Sequence, residues 1–281
     1  MEVTLLNRRT RDSFYSIWSA AIILCFLLAL FVVLFISCQK APETPEDLLP
    51  DAGAASGEPI AEDGLPEESP APAEPKISPV LAQTSDYGAD YLSRFVFLGD
   101  TNTRALSSSG SMPATQVWST ESGDWNLKDS TNTYISFTDG NGNTQEMTIY
   151  NAAAVRQPEY LVINIGLTGL TQTNEAEFKA AYTTLIDTIR LGSPNTKVIC
   201  QSILPVVETM TDDVKNGRIE KANEWILEVA KETDTRYLNA AELLMDDTGN
   251  LRPEYSSGDG ITLSEPGCQA VLLYIRTHGY M

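Results

Sequence analysis

Histidine occurs once in the 281 residues, at His278. Catalysis that relies on an imidazole base elsewhere in the chain is left without its usual group, and histidine-based zinc chemistry loses its ligands. The four cysteines, Cys25, Cys38, Cys200 and Cys268, lack the C-x-x-C spacing of redox or metal sites. No other cofactor or metal motif is present, so none is expected. Positive charge is scarce as well: 19 Lys and Arg stand against 38 Asp and Glu, a formal charge of -19. Such a balance repels phosphate backbones, and no basic stripe offsets it, which argues against nucleic acid as a partner. The 42% apolar content and the length leave ample material for a folded core.

One long stretch lacks charge altogether. Residues 17–37, IWSAAIILCFLLALFVVLFIS, carry none, and about 20 residues at about 1.5 Å each span a bilayer core. Arg8, Arg9 and Arg11 precede the run and an acidic flank follows it. The positive-inside rule then predicts a cytoplasmic segment 1–16, a single transmembrane signal anchor 17–37, and an extracellular remainder held at the cell membrane. The end of the run also resembles a bacterial lipoprotein signal, with Cys38 after Phe35, Ile36 and Ser37. Against that alternative, the run exceeds the ~7–15 residues of a cleavable hydrophobic region. Residues 38–84 are rich in Pro, Ala, Gly, Asp and Glu and have no periodic apolar positions. They read as a disordered, extended linker.

From 85 to 281 the pattern becomes that of one α/β domain. Arg94–Gly99, Tyr160–Gly166, Thr196–Leu204 and Arg236–Asn239 are short apolar runs, as in strands buried on both faces. Between them, Glu175–Arg190 places Phe178, Tyr182, Leu185 and Ile189 on one helical face, and Asp213–Thr233 does the same with Ile219, Ala222, Ile226 and Val229. Alternation of the two predicts a parallel sheet with helices against it. A last helix is expected after Ser264, a good N-cap with Pro266 in the first turn. Thr133–Asp139 and Gln145–Ile149, around Asn141-Gly142-Asn143, read as an inserted edge hairpin.

Ligands of such sheets bind beyond the carboxyl ends of the strands. The segments there are Gly99-Asp100-Thr101, Gly166-Leu167-Thr168-Gly169 and Asp259-Gly260-Ile261-Thr262. In order and context they resemble the motif blocks of the SGNH (GDSL-type) hydrolases, secreted or extracellular esterases. The resemblance implies a flavodoxin-like three-layer sandwich over residues 94 to 281. Carried over position by position, the nucleophilic serine falls on Thr101, the oxyanion-binding asparagine on Thr168, the base histidine on Thr262 and its orienting aspartate on Asp259.

Three of those four positions are threonine. A hydroxyl nucleophile needs a neighbouring group that accepts its proton near neutral pH, which Thr262 does not provide. Losing one oxyanion donor alone costs ~10²- to 10³-fold in rate. His278 lies sixteen positions after Thr262, about 20 Å along a helix, and reads as a surface residue. The expectation is a surface-anchored pseudoenzyme that binds a cell-surface glycan, a cell-wall component or another protein. The alternative is an active esterase or O-acetyl-ester hydrolase with a rearranged site. Trp118, Trp125 and Tyr150 read as either core residues or cleft-lining ones.

Overall fold

The computed structural model describes residues 78–210 and 216–280. Its strands are β1 (Phe95–Gly99), β2 (Val117–Trp118), β3 (Tyr134–Thr138), β4 (Thr144–Thr148), β5 (Tyr160–Asn164), β6 (Lys197–Gln201) and β7 (Arg236–Leu238). Five of them pair in parallel in the order β2-β1-β5-β6-β7. With the β3–β4 hairpin set aside this is the 2-1-3-4-5 order of flavodoxin-like sheets, whose winding reverses between the first and third strands. Gly99 pairs with Asn164 at that junction.

Alternation along the strands makes three layers. Val96, Leu98, Leu161, Ile163, Val198 and Cys200 point to one core, whereas Phe95, Phe97, Tyr160, Val162 and Ile199 point to the other. The first core is covered by α3 (Ile149–Arg156), α4 (Glu175–Gly192) and α5 (Asn216–Glu232). The second is covered by α1 (Ala89–Leu92), α2 (Thr101–Ser108), α6 (Ala241–Leu244) and α7 (Glu265–Arg276). The apolar stripe Phe178, Tyr182, Leu185 and Ile189 of α4 is fully buried. Each such side chain contributes at most about 1.5–3 kcal/mol of transfer free energy.

The helices start where local chemistry directs them. Asn174 caps α4 by accepting from Glu177 N at 3.0 Å, and Ser264 caps α7 by accepting from Gly267 N at 3.3 Å. In the hairpin turn, one Asp139 oxygen accepts from the backbone N–H groups of Asn141 and Asn143, each at 2.9 Å. The hairpin meets the main sheet through Ser136 N, which donates to Ser119 O at 2.8 Å just past β2.

Residues 78–84, whose composition places them with the linker, pack on this unit. Tyr237 N donates to Pro79 O at 2.8 Å, Leu81 N to Tyr237 O at 2.9 Å, and Thr84 N to Thr277 O at 2.6 Å. The first two of those contacts are made to β7 itself, so the apparent linker supplies a short cover for the sheet edge. The anchor 17–37, Cys38 and the linker up to residue 77 lie outside the described residues, as does the start at Asp213 expected for α5. Among the described residues no helix is long and apolar enough to cross a membrane.

Of the aromatic residues with two readings, Trp118 and Trp125 belong to the core, at 0% and 2% exposure. Tyr150 is exposed. Cys200 and Cys268 are buried free thiols belonging to opposite faces of the sheet.

Candidate functional site

The end of β1 is built for close approach. A Cβ on Gly99 would lie 1.9 Å from Asn164 O and 2.4 Å from the Thr103 hydroxyl, so only glycine lets β1 and β5 meet there. Asp100 N donates to Asn164 O at 3.2 Å, and the chain turns at once into α2 with Asp100 as its N-cap. Beyond β5, Gly166 takes φ +125°, a conformation natural to glycine, and leads into Leu167, Thr168 and Gly169.

These turns place Asp100, Thr101, Leu167, Thr168, Gly169, Thr171 and Ile261 around one cleft of about 200 Å³. The side chains of Thr101 and Thr168 are thus brought together. Thr262 is adjacent through Ile261, but its hydroxyl is turned aside: it donates to Asp259 Oδ2 at 2.5 Å. The other oxygen of Asp259 accepts from Ile261 N at 2.8 Å and Thr262 N at 2.7 Å. Burial pushes the Asp259 carboxyl up, yet these hydrogen bonds, led by that of the Thr262 hydroxyl, outweigh it and leave the group below its ordinary range. An anionic Asp259 with no proton to exchange near neutrality braces its own loop. Thr101 Oγ1 donates to Gly123 O at 3.2 Å, so its proton is directed to a backbone carbonyl.

Two further residues shape this site, Asp100, which holds its own turn as an N-cap, and Asn102. Asp100 is 5% exposed, and burial pushes its carboxyl up to about 7 although backbone N–H groups of Asn102, Leu167 and Gly166 pull the other way. A carboxyl that titrates near neutrality beside a cleft is a functional-site signature. Asn102 accepts from Leu263 N at 2.9 Å across 161 positions of sequence, which ties the first motif segment to the third. No local pattern announces that contact. His278 lies away from the cleft: it stacks on Tyr274, with centroids 3.7 Å apart, and lines a different cavity.

A family model, the GDSL-like lipase/acylhydrolase family, matches residues 101–270. The chain belongs to that family. Its match opens at Thr101, the last residue of the first motif segment, takes in the second and third segments whole and closes within α7. Comparison with curated proteins gives no match. Among solved structures, a DUF4886 family protein from Bacteroides uniformis is similar at 13% identity, with 66% of this chain and 83% of that one covered and a TM-score of 0.48. A carbohydrate esterase family 3 protein from Talaromyces cellulolyticus has 15% identity over 65% of this chain and 93% of that one, with a TM-score of 0.44. A Streptococcus pneumonia protein reaches 24% identity, but the match spans 42% of this chain and only 57% of that one, with a TM-score of 0.39.

Proposed function

We propose that this GDSL-like domain is a pseudoenzyme displayed at the bacterial cell surface by an N-terminal membrane anchor, and that its cleft binds a glycan or another cell-wall component. The observation that carries the reading is the bond from the Thr262 hydroxyl to Asp259. In a working site of this family that carboxylate orients an imidazole, and here it holds a group that does not accept a proton at any useful pH. Thr101 has no imidazole at its side, since the single histidine lines another cavity, and its hydroxyl is bonded to Gly123 O. What is left is a small cleft with the threonines Thr101, Thr168 and Thr171 in its wall. At about 200 Å³ it suits a single sugar ring or a short acyl group better than a long lipid chain.

The test is an assay of the full-length protein with a short-chain aryl ester and a serine-directed fluorophosphonate, alongside a glycan array. The expected result is no turnover above background, no covalent labelling and saturable binding of a glycan. Turnover at the level of ordinary esterases, abolished by Thr101→Ala, overturns the pseudoenzyme reading. The anchor is tested separately: protease added to intact cells should digest the domain, and recovery of the protein in the cytosol overturns the placement.

One observation favours the second reading, ester hydrolysis by a rearranged site. Asp100 is buried next to Thr101, and a carboxyl that titrates at about 7 is in the range of a general base. On that reading, activity would rise with pH through 7 and vanish in Asp100→Asn.

A further inference from the structure

Beyond β7 lies a groove of about 1010 Å³ that shares no lining residue with the cleft. Its walls are α5, the end of α7 with His278, and residues Val80, Leu81 and Gln83, which reach it directly after the linker. Glu220, Glu224 and Glu242 line it, whereas no Lys or Arg among the described residues does so. Leu81, Ile219, Leu227 and Met245 supply an aliphatic surface.

Two acceptors, Glu242 and Tyr237, line this groove, and His278 stands beside them. Glu242 is held in place from both sides, by Tyr274 Oη donating to Oε1 at 2.5 Å and Asn239 Nδ2 donating to Oε2 at 2.9 Å. His278 Nδ1 lies 2.9 Å from Tyr274 O. A carbonyl only accepts, so Nδ1 carries the proton there and the ring is held in place by that bond. Tyr237 is 6% exposed, and among the described residues its hydroxyl has no hydrogen-bond partner, although it feels the charge of Glu242. That oxygen is not itself buried, so it is open to the groove, where a ligand can bond it; this acceptor is independent of the carboxylates.

We propose that this groove is a second binding site, and that it takes a lysine-bearing peptide segment. A lysine ammonium has three donors and no acceptor, matching the carboxylate of Glu242 and the phenol oxygen of Tyr237. The four-carbon stem lies on the aliphatic surface while the charge meets the carboxylates. The chain's own linker does not fit. Residues 41–77 carry ten carboxylates against the single Lys76, which places like charges against Glu220, Glu224 and Glu242. The occupant is therefore another protein, bound next to the point where the tether joins the domain.

The single histidine makes the experiment specific, because His278 supplies the only imidazole resonances of the chain. Full-length protein in a neutral detergent is titrated with the peptide acetyl-Leu-Lys-Leu-Lys-Leu-Lys-amide while those resonances are followed. The expected result is a saturable shift that the same peptide with Glu for Lys does not produce. Glu242→Gln should weaken binding about tenfold, as loss of one charge-assisted pair does. Tyr237→Phe, which keeps the ring and removes only the unpartnered hydroxyl, should weaken it several-fold, and Thr101→Ala should leave it unchanged. An unmoved His278 signal, equal response to the glutamate peptide, or unaltered affinity in both Glu242→Gln and Tyr237→Phe overturns the site. Tighter, Glu242-dependent binding of a glucosamine oligomer overturns the peptide as its occupant.

Discussion

In the cleft at the β1–β5 junction, the chain's own atoms already hold the groups that matter: the Thr101 hydroxyl goes to Gly123 O, the Thr262 hydroxyl to Asp259, and the Asp259 carboxylate to two backbone N–H groups. At the groove beyond β7 the situation differs, with Glu242 fixed but lining the open space and the Tyr237 hydroxyl without a partner among the described residues. On the proposed reading, the cleft stands where the family's active site would be, and internal hydrogen bonds hold its polar groups. The groove contains none of the three motif segments, yet it presents acceptors open to a ligand. Position in a fold and readiness for chemistry are therefore separable, and each must be argued from atoms.

The largest effect expected is at the cleft. Members of a triad act as a unit, so Thr101→Ser alone or Thr262→His alone should give almost no activity. The double variant, with Asp259 as it stands, should exceed the parent by about a hundredfold on an aryl ester, the lower range for acid–base catalysis. Addition of Thr168→Asn should raise it again by supplying an oxyanion donor. Binding of the lysine peptide at the groove should not change in any of these variants. A folded but inert triple variant would show that the cleft has been remodelled beyond its three threonines.

Next comes the buried carboxyl. The folded-state value of Asp100, about 7, lies above its unfolded value near 4. The unfolded chain releases this proton first, so the stabilisation is complete below about pH 4 and is lost as pH rises through 7. Three units correspond to at most about 4 kcal/mol. Urea denaturation of Asp100→Asn should therefore lose up to that much less stability than the parent between pH 4 and pH 8. Parallel curves for the two proteins would place the Asp100 carboxyl in solvent and remove it from the second functional reading.

How far these features could be read from sequence varies with their range. β1, β5 and β6 are legible because strands buried on both faces are continuous apolar runs, and α4 because its stripe repeats at helical spacing. The motif segments are legible because the turns they make need Gly99 and Gly166 whatever chemistry follows. β2 is two residues long within a Ser- and Thr-rich stretch, so no periodicity marks it, and Trp118 beside it looks as much like a cleft residue as a core one. The burial of Asp100 and the reach of Asn102 to Leu263 depend on elements far apart in the chain. The groove was hidden for the same reason: His278 reads as surface until residues 78–83 return beside β7 and wall it in.

The Asn102 contact offers a third, smaller test of the cleft. Asn102→Ala removes the acceptor of a buried backbone N–H and should cost about 1–3 kcal/mol. It should also loosen the loop that carries Asp259 and Thr262. Hydrogen exchange at Leu263 reads this directly: faster exchange confined to that loop and α7 is expected, while unchanged exchange would mean that Leu263 N is held by something other than Asn102.

The smallest effect separates the two cavities most cleanly. A hydroxyl that already has a partner costs about 1 kcal/mol or more to delete, because the partner is left behind, whereas removal of one without a partner strands nothing. Tyr237→Phe should accordingly change the stability of the free protein by no more than about 0.5 kcal/mol in thermal or urea unfolding. Tyr274→Phe, whose hydroxyl donates to Glu242, should cost more, since it removes a donor already bonded to that carboxylate. If Tyr237→Phe proves as costly as Tyr274→Phe, the Tyr237 oxygen is satisfied within the folded chain, and the contrast between an occupied cleft and a waiting groove fails at the atom on which it depends.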